Sequence, residues 1–346
     1  MVVYDIAVVG FGISGAKVAL DAVNSNLKTV IFTGSPKSFK RARSTWVLEG
    51  FNNVPGLMET PGKVIIAQAR EVIKERDTPF IRKDIISVKK EEDLFLLCDG
   101  GDESYLVRFV VLCLGATDEQ PELPDGGIRG IFPYANGGKD IDPTAHYCLR
   151  CDGHLAFRKD FAVIGNGSSA SFVTKEVLTR AVKFQDKSIE HLPRGHLLLH
   201  GRERRFSEEE AIELGKLGIE IHPEKIVGFE GEKTLRAINL EGGGKIEVPV
   251  AFISLGMRSV EGSIISSLEG LGVEFDEDGM IIVDEKNETG VSGIFSIGDG
   301  TANQSRQIYS HFDAANRAVA GEIKSRLRPK MLEAIRKEVR KREKSN

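Results

Sequence analysis

The pattern that most restricts the fold of this 346-residue chain is an apolar run, a glycine loop and a helix-compatible run in direct succession. Residues 6–9 are apolar, Gly10-Phe11-Gly12-Ile13-Ser14-Gly15 is a G-x-G-x-x-G loop, residues 16–23 have helical spacing, and 29–32 form a second apolar run. In such a loop Gly10 permits the tight turn, Gly12 lets a pyrophosphate approach the backbone, and Gly15 lets helix and strand pack closely, with phosphates at the helix N-terminus. The same order recurs 155 residues further on, where residues 161–164 lead into Gly165-Asn166-Gly167-Ser168-Ser169-Ala170, a G-x-G-x-x-A variant followed by a helical stretch to about Thr179. Two dinucleotide sites are implied. Short strand-like runs follow each unit, at 82–88, 94–97 and 105–112, then at 219–222, 226–230, 235–240 and 245–250. Each set closes on a matching strand end, at Gly115 and at Gly256. A repeat of βαβ plus meander predicts an α/β fold.

Composition narrows the function. Lys plus Arg number 47 against 51 Asp plus Glu, a formal charge of −4, so no bulk field draws nucleic acid to the chain. Hydrophobic residues at 41% argue for a packed core rather than disorder. No apolar run approaches the roughly 20 residues that span a bilayer, and no membrane partner is expected. The N-terminus carries Asp5, has no basic region and flows straight into the glycine loop, so it does not read as a signal peptide, and a cytoplasmic location is expected. In that compartment a disulfide is transient and catalytic rather than structural.

The four cysteines are too few for a disulfide scaffold, but Cys148 and Cys151 form a C-x-x-C pair that reads as redox or metal chemistry. Structural zinc needs four ligands. Cys98 and Cys113 stand singly at probable strands, and His146 and His154 are not spaced from the pair as in a zinc finger. No metal is therefore expected, and Cys98 and Cys113 read as packing thiols.

The two G-x-G units, the run Cys148-Leu149-Arg150-Cys151-Asp152-Gly153 just before the second of them, and the late Gly298-Asp299 together resemble the thioredoxin reductase family, of the low-molecular-weight, FAD-dependent type. The resemblance covers residues 3 to about 325. It implies two Rossmann-like domains of three-layer ββα type, each with a β-meander, one inserted in the other. The FAD domain would comprise 1–117 and 250–325, and 118–249 would be an NAD(P)H-binding-like domain carrying the cysteine pair. Residues 326–346 would be a charged tail, and the molecule a homodimer.

Residue by residue, the resemblance assigns FAD to Gly10, Gly12, Ile13, Ser14, Gly15, Gly115, Gly298, Asp299, Arg306 and Gln307. Asp299 would accept from a ribityl hydroxyl, and the helix opening near Gln307 would aim its N–H groups at the flavin, where a positive dipole end stabilises the reduced anion. NADPH would lie on Gly165, Gly167, Ser168 and Ser169, with Arg202 and Arg204 gripping its 2′-phosphate. Cys151 would take electrons from the flavin, Cys148 would attack the partner disulfide, and Asp152 would be the general acid or base, best served by a pKa raised through burial.

The implied activity is an FAD-dependent thioredoxin-disulfide reductase, passing two electrons from NADPH through FAD to Cys148–Cys151 and on to a thioredoxin- or glutaredoxin-like protein. Alternatives are the same core with ferredoxin as donor, a dithiol oxidase acting on a small molecule, and a non-catalytic flavin-binding redox sensor. Asp152 favours the reductase over the oxidase, where His often stands.

Several positions depart from the family pattern. Thr33 stands where an acid would hold the adenosine ribose, and residues 37–43 are basic. The arginine run His200-Gly201-Arg202-Glu203-Arg204-Arg205 lies 37 residues beyond Gly165 because of an apparent insertion at 182–194. The helix after Gln307 carries His311 in place of small residues.

Overall fold

The computed structural model describes residues 2–35, 47, 50–51, 53–101, 103–124, 130–135, 142–182, 192–259 and 262–345. The basic run 37–43 and most of the apparent insertion, 183–191, lie outside the described residues. The chain divides into two compact units: Met1–Gly50, Glu59–Thr117 and Arg258–Asn346 form one, and Phe51–Met58 with Asp118–Met257 form the other.

In the first unit β1 (Val3–Val9) leads through the first glycine loop into α1 (Ile13–Asn24), then β2 (Thr29–Phe32), α2 (Gly62–Lys74) and β3 (Phe80–Ile81). The meander β4 (Ser87–Glu91), β5 (Leu94–Cys98) and β6 (Ser104–Leu112) follows, and β7 (Ala116–Asp118) carries the chain onward. The sheet order is β3-β2-β1-β6-β5-β4, with β1 parallel to both β2 and β6. β2 is buried along its whole length, as a parallel strand covered on both faces should be. The expected strand at 82–88 begins only at Ser87, because Ser87–Glu91 is the stretch that pairs with β5.

The second unit contains β8 (Ala145–His146), the short helix α3 (Leu149–Asp152), β9 (Phe161–Ile164), α4 (Ser168–Ala181), β10 (Gly195–Leu198), α5 (Glu208–Lys216) and β11 (Ile219–His222). A meander, β12 (Ile226–Glu230), β13 (Ala237–Leu240) and β14 (Lys245–Glu247), precedes β15 (Val250–Ile253). The parallel sheet runs β11-β10-β9-β15-β8, and β12-β13-β14 form a separate three-stranded antiparallel sheet. Two expectations need correction. Residues 219–222 are not meander but the parallel edge strand beside β10, reached through α5. Residues 250–253 belong to this unit rather than to the FAD-type domain, since β15 pairs with β9 along its whole length and all four residues are buried. The boundary therefore falls near residue 257 instead of 250.

β16 (Met257–Ser259) pairs with β7 in a two-stranded sheet. Then come α6 (Ser263–Leu271) and β17 (Ile294–Ser296), which joins β6 in parallel, and α7 (Ile308–Asn316), a π-helical stretch (Arg317–Ile323) and α8 (Lys324–Ser345). Pro329 sits inside α8, and the charged tail begins as packed structure: Ile323 and Leu327 are buried and Arg326 grips Glu288. Residues 326 and 327 thus belong to the first unit's packing, and exposure rises only beyond them.

Candidate functional site

The first glycine loop has the geometry its sequence predicts. Gly10 has φ +102°, and a Cβ there would lie 2.2 Å from the Cys113 carbonyl oxygen, so only glycine fits. A Cβ on Gly15 would meet the Gly10 carbonyl at 2.1 Å, the close helix–strand approach expected of the third glycine. Gly12 is the N-cap of α1, with no side-chain cap and no acid in the first turn. Those first N–H groups suit a phosphate both by hydrogen bonding and by the helix dipole.

On the returning segment, Gly298 and Asp299 follow β17, and a Cβ at Gly298 would lie 2.8 Å from Ser14 Oγ. Gly300 packs on Gly115, where a Cβ would be 2.6 Å from the carbonyl oxygen. Gln307 is the buried N-cap of α7, again with no side-chain cap and no acid in the first turn. The fold thus gathers Ile13, Ser14, Gly115, Gly298, Asp299, Arg306 and Gln307 into one unit.

Sequence reasoning undervalued His311. It is 6% exposed, its Nδ1 is 3.1 Å from Ser14 Oγ, and its Nε2 is 3.5 Å from Asp299 Oδ1. Through Ser14 this imidazole ties α7 to the helix that follows the first loop, and its other nitrogen lies beside the carboxylate of the Gly-Asp turn. The sequence signal is its place in the first turn of α7, but its partner Ser14 lies 297 residues away.

The second glycine loop is equally well formed. A Cβ on Gly165 would lie 2.2 Å from the Ser254 carbonyl oxygen and 2.7 Å from Ala170 Cβ, whereas one on Gly167 would meet nothing within 4 Å. Gly167 caps α4 with extended backbone, no side-chain cap and no acid in the first turn. The arginine run folds back onto this loop: the Arg205 N–H donates to the Asn166 carbonyl at 2.7 Å, and Asn166 Nδ2 donates to the Glu203 carbonyl at 2.7 Å. The long insertion has not displaced the cluster, which still follows β10. Arg202 pairs with Glu119 at 3.0 Å, and Arg204 pairs with Glu208 while lying over Phe206. Ser168 donates to Glu210 at 3.3 Å, and Ser169 lies 3.3 Å from Ser254 Oγ. Next to Arg202, burial and then that guanidinium hold the His200 imidazole below its usual pKa, so it stays neutral while Nδ1 accepts from the Ile226 N–H.

Cys148 and Cys151 form a disulfide across the one-turn helix α3. Cys148 is its N-cap, and the Cys151 N–H donates to Cys148 Sγ at 3.2 Å, a contact that favours negative charge on that sulfur. Both cysteines and Asp152 are half-buried, and Asp152 Oδ2 lies 3.3 Å from Nδ1 of His146. His146 ends β8, packs against Phe252 with ring centroids 5.1 Å apart, and is 2% exposed. Among the described residues its Nε2 has no hydrogen-bond partner. His146 was legible only as a residue two before a cysteine, because its partner Phe252 comes from distant β15. A shallow cleft beside the disulfide is lined by Leu149, Arg150, His154, Phe157 and Arg180. Of the other cysteines, Cys98 is half-buried and Cys113 buried, and burial pushes the Cys113 thiol pKa well up, so it stays protonated and inert.

Comparison with known proteins agrees with this geometry. The pyridine nucleotide-disulphide oxidoreductase family model matches residues 4–320. Thioredoxin reductases from Mycoplasma pneumoniae and Bacillus subtilis are each 26% identical, over 89% and 88% of this chain and 90% and 89% of theirs. Among solved structures, thioredoxin reductase from Streptococcus pyogenes has a TM-score of 0.75 at 20% identity, covering 92% of this chain and 96% of that one. The Giardia duodenalis enzyme has 0.76 at 18%, covering 94% and 99%. FAD and NADPH are the cofactors implied, and both glycine cradles fit a dinucleotide pyrophosphate. The chain is an oxidoreductase and belongs to the pyridine nucleotide-disulphide oxidoreductase family, on the thioredoxin reductase pattern.

Proposed function

We propose that this chain is a cytoplasmic, homodimeric thioredoxin-disulfide reductase whose working groups are Cys148, Cys151 and Asp152. The observation that carries the reading is the Cys148–Cys151 disulfide with Asp152 next in sequence and the buried His146 at 3.3 Å from it. Gly10, Gly12 and Gly15 would hold the FAD pyrophosphate and Asp299 a ribityl hydroxyl, while Gly165, Gly167, Arg202 and Arg204 would hold NADPH. Bound FAD supplies a two-electron relay between NADPH and the disulfide.

Two electrons and a proton break the Cys148–Cys151 bond to a thiol and a thiolate. Cys148 as thiolate attacks one sulfur of the partner disulfide, forming a mixed disulfide and releasing one partner thiolate, which takes a proton from Asp152. Asp152, now a carboxylate, takes the Cys151 proton; the Cys151 thiolate attacks Cys148 Sγ and restores the ring, expelling the second partner sulfur as a thiolate that receives this proton, so the two electrons gained are the two passed on and a proton from solvent resets Asp152. His146 would act through Asp152, whose Oδ2 its Nδ1 faces at 3.3 Å. The cleft at Leu149, Arg150 and Phe157 gives the partner an apolar footing with a cationic rim.

The test is anaerobic mixing of the yellow protein with NADPH, NADH or reduced ferredoxin, followed by oxidised thioredoxin. Fast bleaching by NADPH and stoichiometric thioredoxin reduction are expected. Bleaching by ferredoxin alone, or bleached protein that leaves thioredoxin oxidised, overturns the reading. Sedimentation equilibrium at twice the chain mass of 37.9 kDa is the expected result for the dimer.

A further inference from the structure

On the second unit, three potential ligands to which no role has been assigned above converge. His196 lies on β10, and Glu220 and His222 lie two apart on β11. His196 is in register with Glu220 across the parallel pair, so the two-residue period of β-structure places all three side chains on one face of the sheet. Their neighbours in sequence, Leu197, Ile219 and Ile221, point the other way into the apolar core.

The donor atoms form a nearly regular triangle. His196 Nδ1 is 3.1 Å from His222 Nε2, and Glu220 Oε2 is 3.5 Å from the first and 3.6 Å from the second. Zinc bound to nitrogen and oxygen at about 2.0–2.1 Å in a tetrahedron sets its ligands about 3.3–3.4 Å apart, which is the size of this triangle. An imidazole–imidazole hydrogen bond would explain the 3.1 Å edge but not the third vertex, since Glu220 sits equally far from both rings and beyond good hydrogen-bond length.

We infer that His196, Glu220 and His222 form a binding site for a divalent transition cation, zinc foremost, with three protein ligands and a fourth position open to water at the exposed Glu220 edge. Two imidazoles and one carboxylate suit zinc, cobalt or nickel and disfavour magnesium and calcium, which seek oxygen shells. β11 is one edge of the five-stranded sheet and β8, beside the disulfide, is the other. The metal therefore acts as a clamp between β10 and β11 rather than as part of the redox chemistry. It clamps the base of the arginine loop, where the Leu199 N–H donates to the His222 carbonyl at 2.8 Å and the Gly201 N–H to the Pro223 carbonyl at 3.0 Å.

Isothermal titration of the full-length, flavin-loaded, oxidised protein with zinc chloride tests this. One saturable site per chain is expected, with a zinc-dependent rise in melting temperature and no response to magnesium or calcium. Glu220→Gln, at an exposed position, should weaken zinc by at least roughly the 10–100-fold that even outer-shell changes produce. His222→Ala should abolish binding, and Cys148→Ser/Cys151→Ser should retain it. Absence of saturable binding to the wild type overturns the site. So does affinity unchanged by Glu220→Gln and His222→Ala, or binding lost with the cysteines. X-ray absorption of the zinc-loaded wild type needs no variant: two imidazole nitrogens and light oxygen neighbours are expected, and a sulfur shell would refute the assignment.

Discussion

At the scale of single residues, the proposed chemistry concentrates in the stretch from His146 to Asp152. Cys151→Ser should leave NADPH bleaching of the flavin intact while thioredoxin reduction disappears; persistence of that reduction would remove the dithiol mechanism. Asp152→Asn keeps the shape but loses the proton, and thioredoxin turnover should fall by about 10²–10⁴-fold. His146 touches no reacting sulfur, so its effect is indirect. His146→Gln should lower thioredoxin turnover about tenfold and displace the pH profile, with the bleaching rate unchanged. An unaltered pH profile would mark His146 as a packing residue only. Sequence alone separated the paired Cys148 and Cys151 from Cys98 and Cys113, because C-x-x-C spacing is local. The same reading did not pair His146 with Asp152, because the two sit on different elements, the strand β8 and the helix α3, whose mutual placement no local pattern writes.

At the scale of elements, two strand–loop–helix units show how far local sequence reaches. Each strand, loop and helix appears where the periodicity placed it, because neighbours in sequence fix a tight turn and a helix start. The two loops also separate folding from binding. Gly10→Ala would force a positive φ on alanine and a contact of 2.2 Å with Cys113, so the fold and flavin retention should both suffer. Gly167→Ala meets open space and has φ −98°, so the melting temperature should hold while the KM for NADPH rises about tenfold or more. A fall in stability equal to that of Gly10→Ala would contradict this assignment; it is read by thermal melts beside steady-state kinetics. The strand runs were less legible than the loops. Residues 219–222 and 250–253 read as meander and FAD-domain strands because an apolar run does not name its partner, and pairing with β10 and β9 decides it.

At the scale of the whole molecule, the C-terminal segment was expected to be a tail, yet its first turn is locked into the first unit. Arg326 holds Glu288 through two contacts of 2.6 Å, and Glu288 also accepts from the Gly293 N–H at 2.7 Å. Burial on its own would raise the Glu288 carboxyl pKa, but the Arg326 guanidinium overrides it and holds the group below its ordinary value of 4.5. Arg326→Ala strands a mostly buried carboxylate and should cost about 3 kcal/mol, seen as a lower melting temperature. The sign follows from a depressed folded-state pKa. The deficit relative to wild type should be full above about pH 4.5 and close as pH falls through the lower folded value, as urea melts at stepped pH would show. A deficit that grows on acidification would refute the pairing. Among the described residues no helix is long and apolar enough to cross a membrane.

The amino-acid sequence by itself determined the two glycine-loop units, the close cysteine pair and the family pattern, because each is written within a few dozen consecutive residues whose local geometry needs no distant partner. Only the tertiary structure decided where β15 and β11 pair, that His311 bridges Ser14 and Asp299, that His146 backs Asp152, and that His196 meets Glu220 and His222. The physical reason is common to all four. A side chain's direction is set by its own strand or helix, but what it meets there is set by which other element burial and backbone pairing bring alongside.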